Sequence, residues 1–406
     1  MQRLGLRSTA WVGLLAILAV LAMACGPTPP PPDPDADNAG PGSPYGWFEA
    51  GRLWRGDLGD PHLVRVGSTY YAYSSPTGGR YLPVVTSTDL VNWRIHPRWT
   101  AEPAPWAGGR DPQTDPAIPA EIRYAPLNDV DTWNMNDALV APASWGLDHD
   151  QGPWIRKDLW APGVIQYGST WLAFSAVRVS WSSDDPHGYG RFCITVAKAT
   201  SPLGPFRDAS GGTPVVCDVD PAGSIDPSPF LDPVTGTLHL LWKAAGRRST
   251  ASVPGYPSAL KAARIDSNGR RISDTTTLLT TREGSWEGMT IENPSMVYWK
   301  GRYLLFYSGN DSVTNNYATG WAVCSSGPRG ACSRPTSSPL LASTASEQGP
   351  GGASAVLDPN GGLRLGYAYY WPGEYRSGEA ITRPRRLRVV PITQDSAGRL
   401  QVAASR

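Results

Sequence analysis

Three carboxylates stand at the mouth of the same recurring sequence phrase. Asp60-Pro61-His62-Leu63-Val64 passes through Gly67-Ser68 to Tyr70-Tyr71-Ala72-Tyr73-Ser74. Asp226-Pro227-Ser228-Pro229-Phe230-Leu231 passes through Gly236-Thr237 to Leu238-His239-Leu240-Leu241-Trp242. Ile291-Glu292-Asn293-Pro294-Ser295-Met296-Val297-Tyr298 passes through Lys300-Gly301 to Tyr303-Leu304-Leu305-Phe306-Tyr307-Ser308. Each phrase sets an acid at the mouth of an apolar strand, then a turn, then a second apolar strand. Proline donates no ladder hydrogen bond and favours the first position of a strand, and the residue before it is pushed extended. The acids are therefore expected in extended backbone at strand edges, where side chains reach a cleft. One such acid is ordinary turn chemistry; three in register indicate a site. Three grouped carboxyls can divide acid–base work: one ionised to activate water, one protonated to supply a proton, and a third whose charge keeps the second protonated.

The elements that hold these acids form a repeat. Two fainter copies of the phrase occur. Trp160-Ala161-Pro162-Gly163-Val164-Ile165 leads through Gly168-Ser169 to Trp171-Leu172-Ala173-Phe174-Ser175. Gly351-Gly352-Ala353-Ser354-Ala355-Val356-Leu357 leads through Asn360-Gly361-Gly362 to Leu363-Arg364-Leu365-Gly366-Tyr367-Ala368-Tyr369. Copies thus begin near 60, 160, 226, 292 and 351, each followed by a third apolar run such as Leu82 to Thr86, Phe192 to Ala197 or Tyr317 to Cys324. Five units of about four strands predict an all-β, five-bladed β-propeller. Its innermost strands open at one face of a central channel, which brings acids distant in sequence together.

The composition agrees with short strands between frequent turns: 17 Trp, 17 Tyr, 44 Gly and 40 Pro in 406 residues. A net charge of +1 and the lack of a basic run give no footing for nucleic acid. Residues 1–24 read as an export signal, with Arg3 and Arg7 ahead of the apolar Trp11 to Leu21 and a small-residue Ala22-Met23-Ala24 cleavage site. Cys25 follows at once and resembles the acceptor of a bacterial lipobox, although the leucine lies one place further upstream than in the usual pattern. Residues 25–44 are then a lipidated cysteine and a Pro-rich stalk, and 45–406 the propeller. Ordinary cleavage after Ala24 is the alternative. The expectation is an extracellular monomer that meets a membrane only through a lipid anchor.

Cys193, Cys217, Cys324 and Cys332 are an even set in an oxidising compartment, which implies two disulfides. Three pairings are possible; Cys193–Cys217 with Cys324–Cys332 is expected because each pair falls within one local β segment. No Cys-x-x-Cys occurs and the five histidines are scattered, so no zinc site is expected. Blade one is expected to resume at Asn136-Asp137-Ala138-Leu139 after an inserted loop at 97–133, whose Trp99, Trp106, Tyr124 and Trp133 suggest an ordered rim of a cleft.

From about Gly56 to the C-terminus the chain resembles glycoside hydrolase family 43. The resemblance rests on Asp60-Pro61, Asp89-Leu90-Val91-Asn92-Trp93, Asn136-Asp137-Ala138-Leu139, Trp160-Ala161-Pro162, Ile225-Asp226-Pro227-Ser228-Pro229-Phe230, Glu292-Asn293-Pro294-Ser295-Met296 and Gly349-Pro350-Gly351-Gly352. It implies a five-bladed propeller acting on arabinose- and xylose-containing polysaccharides. It also implies roles: Asp60 as general base, Asp226 as the group that tunes and orients the acid, and Glu292 as general acid. Inversion requires base and acid roughly 6.5–9.5 Å apart. Many members carry a fifth-blade histidine that helps hold a calcium ion or water cluster in the channel. Gly352 stands there and offers no side chain, so no metal site or other cofactor is carried over. Asn293 stands where glycine commonly follows the acid.

Trp160 could stack on a sugar face or pack between blades. The Tyr317 to Cys324 stretch resembles the arabinanase and arabinofuranosidase side of the family, with β-xylosidase as runner-up. A non-catalytic glycan-binding lipoprotein and a retaining transferase of the fructan-processing propellers are the competing classes. No Gly-x-Ser-x-Gly elbow supports a serine esterase.

Overall fold

Strands dominate because apolar runs of five to eleven residues alternate with Gly- and Asp-centred turns. The computed structural model describes residues 58–76, 81–95, 138–147, 159–180, 190–218, 223–246, 257–372, 375–376, 379–380 and 385–403. The export signal, Cys25, the Pro-rich stalk, the segment from Tyr45 to Leu53 and the 97–133 insertion lie outside the described residues.

Blade one is a four-stranded antiparallel meander of β1 (His62–Val66), β2 (Thr69–Tyr73), β3 (Val84–Ser87) and β4 (Arg94–Ile95). Blade two contains β5 (Leu139–Ala141), β6 (Leu159–Tyr167), β7 (Thr170–Ser180), β8 (Arg191–Ala199) and β9 (Phe206–Asp208), ordered β5-β9-β8-β7-β6. Blade three is β10 (Ser224–Leu231), β11 (Leu238–Ala244), β12 (Ala259–Arg264) and β13 (Thr276–Thr280). Blade four is β14 (Ile291–Trp299), β15 (Arg302–Gly309) and β16 (Ala318–Cys324), its edge extended by bridges of Val323 to Ser333 and Thr319 to Leu341. Blade five is β17 (Gln348–Leu357) and β18 (Leu363–Tyr370), then, past the small hairpin β19 (Tyr375–Arg376) and β20 (Glu379–Ala380), β21 (Arg386–Gln394) and β22 (Leu400–Val402). A 3₁₀ turn spans Gly327–Arg329.

The inner strands close a ring: β1 lies beside β6, β6 beside β10, β10 beside β14, β14 beside β17, and β17 beside β1. Each seam has its own apolar core. Tyr73, Leu82, Val164 and Trp171 pack between blades one and two, and Phe174, Val196, Leu240 and Trp242 between two and three. Leu241, Leu260, Met296 and Leu305 fill the next seam, Trp299, Phe306, Trp321 and Leu365 the one after, and Leu63, Tyr70, Trp93 and Val356 the last. Second strands are covered on both faces by neighbouring blades, so β11 is buried throughout and reads as an unbroken apolar run. Burying each large side chain contributes about 1.5–3 kcal/mol.

The segment after the insertion differs from the sequence expectation. Leu139–Ala141 does not rejoin blade one but pairs in parallel with β9 at the outer edge of blade two. Ala138 links the two blades: its N–H donates to the Leu82 carbonyl and its own carbonyl accepts from Phe206 N–H. A strand this short takes the edge with free ladder groups, and β4 already occupies blade one's edge.

Cys193 is paired with Cys217 and Cys324 with Cys332. The first closes a 24-residue separation and the second an 8-residue one. Removing either as a Ser/Ser double variant is expected to lower unfolding free energy by about 2–4 kcal/mol, more for the wider loop. Chemical denaturation of each double variant measures this, and thiol labelling of the unfolded, unreduced wild type should find none of the four free.

Candidate active site

One backbone feature recurs at all five inner-strand mouths. Asp60, Ala161, Asp226, Asn293 and Gly352 have φ of 50°, 34°, 55°, 49° and 65°. The first four precede prolines, and in β6, β10, β14 and β17 the ladder register slips at this point. The expected extended conformation is thus replaced by a left-handed bulge, which costs about 1–3 kcal/mol at each non-glycine position. The bulge turns the side chain or peptide out of the pleat and into the channel. In blades one and three the bulged residue is the acid itself. In blade four it is Asn293, and Glu292 projects from the position before it.

The bulges surround a pocket that is open to solvent, lined by Asp60, His62, Asp226, Ser228, Asn293 and Gly352 among others. Glu292 lies beside this lining, joined to it through Asn293, whose N–H donates to Asp226 Oδ2 at 3.0 Å. The sequence-predicted acids therefore converge from β10, β14 and the entry to β1.

Each acid has a different electrostatic setting. Asp60 is gripped by Arg385, with Nη1 to Oδ1 at 2.8 Å and Nη2 to Oδ2 at 2.9 Å. Ser75 Oγ donates to Asp60 Oδ2 at 2.7 Å and is itself fixed by the Ala161 N–H at 3.0 Å. Burial alone would raise the Asp60 pKa, but the Arg385 charge and these hydrogen bonds outweigh it and hold the carboxyl below its usual range. Asp226 is buried with a single backbone donor. Burial, then the charge of Glu292, pushes its pKa up to about 8. Glu292 receives Lys243 Nζ at Oε2 and the Tyr317 hydroxyl at Oε1, both at 2.7 Å.

The blade-five motif explains itself here. A side chain at Gly351 would meet the Tyr317 ring at 2.0 Å, so this glycine makes room for the tyrosine that holds Glu292. At Gly352 a Cβ would lie 3.1 Å from Asp60 Cα, in left-handed backbone. The family's channel histidine would be crowded and strained there, and no cluster of three or more His, Cys, Asp or Glu among the described residues has metal-holding geometry. His62 does line the cavity, with Nε2 donating to the Val164 carbonyl at 2.8 Å; burial lowers its pKa to about 4, so it is neutral.

Trp160 does not line the cavity. It stacks on Phe192 at 4.0 Å in a small cluster with Ala176 and Ile225, with Arg178 over the Phe192 ring. Trp286 stacks on Tyr307, and Trp321 is buried in the blade-four seam. Sequence reading missed Arg385, Lys243 and Ser75. Arg385 is 325 residues from Asp60, within Arg383-Pro384-Arg385-Arg386, and nothing local marks it. Lys243 carried a signal, as a lone charge closing the apolar Leu238 to Trp242.

The sequence matches the model of glycosyl hydrolases family 43 over residues 128–397. The chain belongs to this family. The matched region contains Asp226 and Glu292; Asp60 lies ahead of it. A thermostable family-43 glycoside hydrolase shares the fold at TM-score 0.59 and 21% identity, over 89% of this chain and 96% of that one. An alpha-L-arabinofuranosidase from Lactobacillus brevis superposes at 0.58 and 16% identity, over 86% and 94%. A xylan beta-1,4-xylosidase from Bacillus halodurans C-125 superposes at 0.60 and 17% identity, over 87% of this chain and 56% of that longer one. No curated protein matches the sequence.

The Asp60–Arg385 pair has a definite pH signature. The Asp60 pKa is depressed, so the pair stabilises the fold above the unfolded Asp value of about 3.9 and loses this as pH falls through the folded value. Arg385→Met is expected to cost about 3 kcal/mol at neutral pH, the low end for a buried pair because both side chains keep 18–19% exposure. Denaturation across pH measures it; the gap from wild type should shrink toward about pH 3.

Proposed function

We propose that this family 43 chain is an exported, lipid-anchored glycosidase that cleaves arabinofuranosyl linkages in plant-type polysaccharides with inversion. The observation that carries the reading is the convergence of three carboxylates, from separate blades, on one open channel mouth. Asp60, kept ionised by Arg385, takes a proton from the attacking water. Glu292 donates a proton to the leaving oxygen. Asp226, coupled to Glu292 across the Asn293 bulge, raises the proton affinity of the pair. The paired charges leave the pocket close to neutral, which suits an uncharged pentose. The export sequence, Cys25 and the stalk support a protein tethered outside the cell.

β-Xylosidase action is the second reading, favoured by the xylosidase and the endo-1,4-beta-xylanase from Bacteroides thetaiotaomicron among proteins of the same fold. Turnover of linear arabinan, arabinoxylan and aryl pentosides separates the two.

Asp60→Asn should lower turnover roughly 100- to 10,000-fold with folding intact, because an amide accepts no proton from water. Glu292→Gln should fall as far on natural glycans but far less on aryl glycosides, whose leaving groups need little protonation. Proton NMR of early product should show the inverted anomer. Retention of configuration, or near-normal glycan hydrolysis by Asp60→Asn, contradicts the mechanism; binding without turnover in the wild type points to a glycan-binding protein instead.

A further inference from the structure

A general acid must hold a proton when its substrate arrives, yet Glu292 is bonded as a carboxylate would be. Its Oε2 lies 2.7 Å from the Lys243 ammonium, with side-chain exposures of 15% and 11%, and its Oε1 accepts from Tyr317. Asp226, on the strand next to Lys243 in blade three, has no cation of its own and one backbone donor. A buried carboxyl and a partly buried neighbour hold one proton between them most favourably on the member without the cation.

We propose that Lys243 is a positioning residue that decides where this shared proton resides: with the site empty it keeps Glu292 ionised and the proton on Asp226, and a sugar hydroxyl that draws Lys243 off Glu292 loads the acid. The proposal rests on the hydrolase reading and deepens it. In the loading step the O–H bond of Asp226 breaks and one forms on Glu292, so total charge is unchanged and no other reactant is needed. The acid is then armed only with substrate present. The elevated proton affinity of Asp226 agrees with this placement.

The groups that face the pair are few. Lys243 approaches from β11 and Tyr317 from the entry to β16. Asp60 acts on Asp226 across the channel, with its own charge countered by Arg385, and Asp311, just after β15, acts on Lys243. Tyr317 has one hydrogen for two acceptors, Glu292 Oε1 and Asn293 Oδ1, both at 2.7 Å. When Glu292 takes up the proton on Oε1, it donates to Tyr317 and Tyr317 donates to Asn293, so the network has a satisfied arrangement ready for the loaded state.

Infrared difference spectroscopy of the purified protein through a pH titration tests the resting state without substrate. The carbonyl stretch of a protonated buried carboxyl should be present at neutral pH, persist in Glu292→Gln and vanish in Asp226→Asn. Its titration should move up by about one pH unit in Lys243→Met and stay in place in Lys243→Arg; Lys243→Gln serves if the methionine variant folds poorly. On an unactivated pentose oligosaccharide, whose leaving oxygen needs the proton, the alkaline limb of kcat in the wild type should lie above that of kcat/KM by about one pH unit, and the two should coincide in Lys243→Met. A band that survives in Asp226→Asn, a titration unmoved in Lys243→Met, or coincident limbs in the wild type would overturn the proposal. If no glycoside is turned over but the infrared titration behaves as stated, the resting-state placement is supported and the hydrolase reading alone fails.

Discussion

The site depends on a left-handed residue held at the mouth of every inner strand. An ordinary pleat would send alternate side chains into the blade seams, where an ionised carboxylate is costly to bury. The bulge breaks that alternation for one residue and aims it at the channel. The conformation is unfavourable for Asp, Ala and Asn, so the surrounding ring must enforce it. Interblade hydrogen bonds do part of this: Ala161 N–H reaches Ser75 of blade one, Asn293 N–H reaches Asp226 of blade three, and Gly352 N–H reaches Ser308 of blade four. Two of these amides also bind acids: Asn293 N–H holds Asp226 directly, and Ala161 N–H holds Asp60 through Ser75.

Around that frame the charges are distributed unequally. Three carboxyls share the channel mouth with two cations. Asp60 takes both arms of one guanidinium, Glu292 takes one ammonium, and Asp226 takes neither. A fork matches a carboxylate bidentately and never deprotonates, which suits a group that must stay ionised. A lysine is a point charge on a flexible stem and can be moved by a competing acceptor. The difference between the two cations follows the difference between the two roles proposed for their partners.

Support extends one layer further out. In blade four, buried Glu287 accepts from Tyr307 at 2.8 Å and pairs with Arg334; in blade five, Glu347 accepts from Tyr367 at 2.8 Å and pairs with Arg388. Each glutamate lies 20 residues before its tyrosine and just ahead of a bulge. The two clamps tie the loops that enter β14 and β17 to the second strand of the same blade. An unpaired buried carboxylate is costly, so each clamp is strong only as a complete triad.

Repetition is what made so much of this legible in the sequence. Acid, proline, apolar strand, turn and second apolar strand form a local pattern, and five copies of it already imply a ring whose inner strands share one channel. Asp60, Asp226 and Glu292 could be picked out because each sits at the strand mouth of its own copy, immediately before the proline or one residue further upstream. The backbone conformation of the residues before the prolines, Asp60, Asp226 and Asn293 among them, was not legible: proline's local preference for an extended predecessor was overridden in the closed ring. Nor was the place of Leu139–Ala141, because a three-residue strand carries no pattern of its own and joins whichever edge is open. Arg385 and Lys243 reach the acids from other strands, Arg385 from the far end of the chain. Their pairing is decided by desolvation and geometry in the closed ring, and those exist only once the fold has formed.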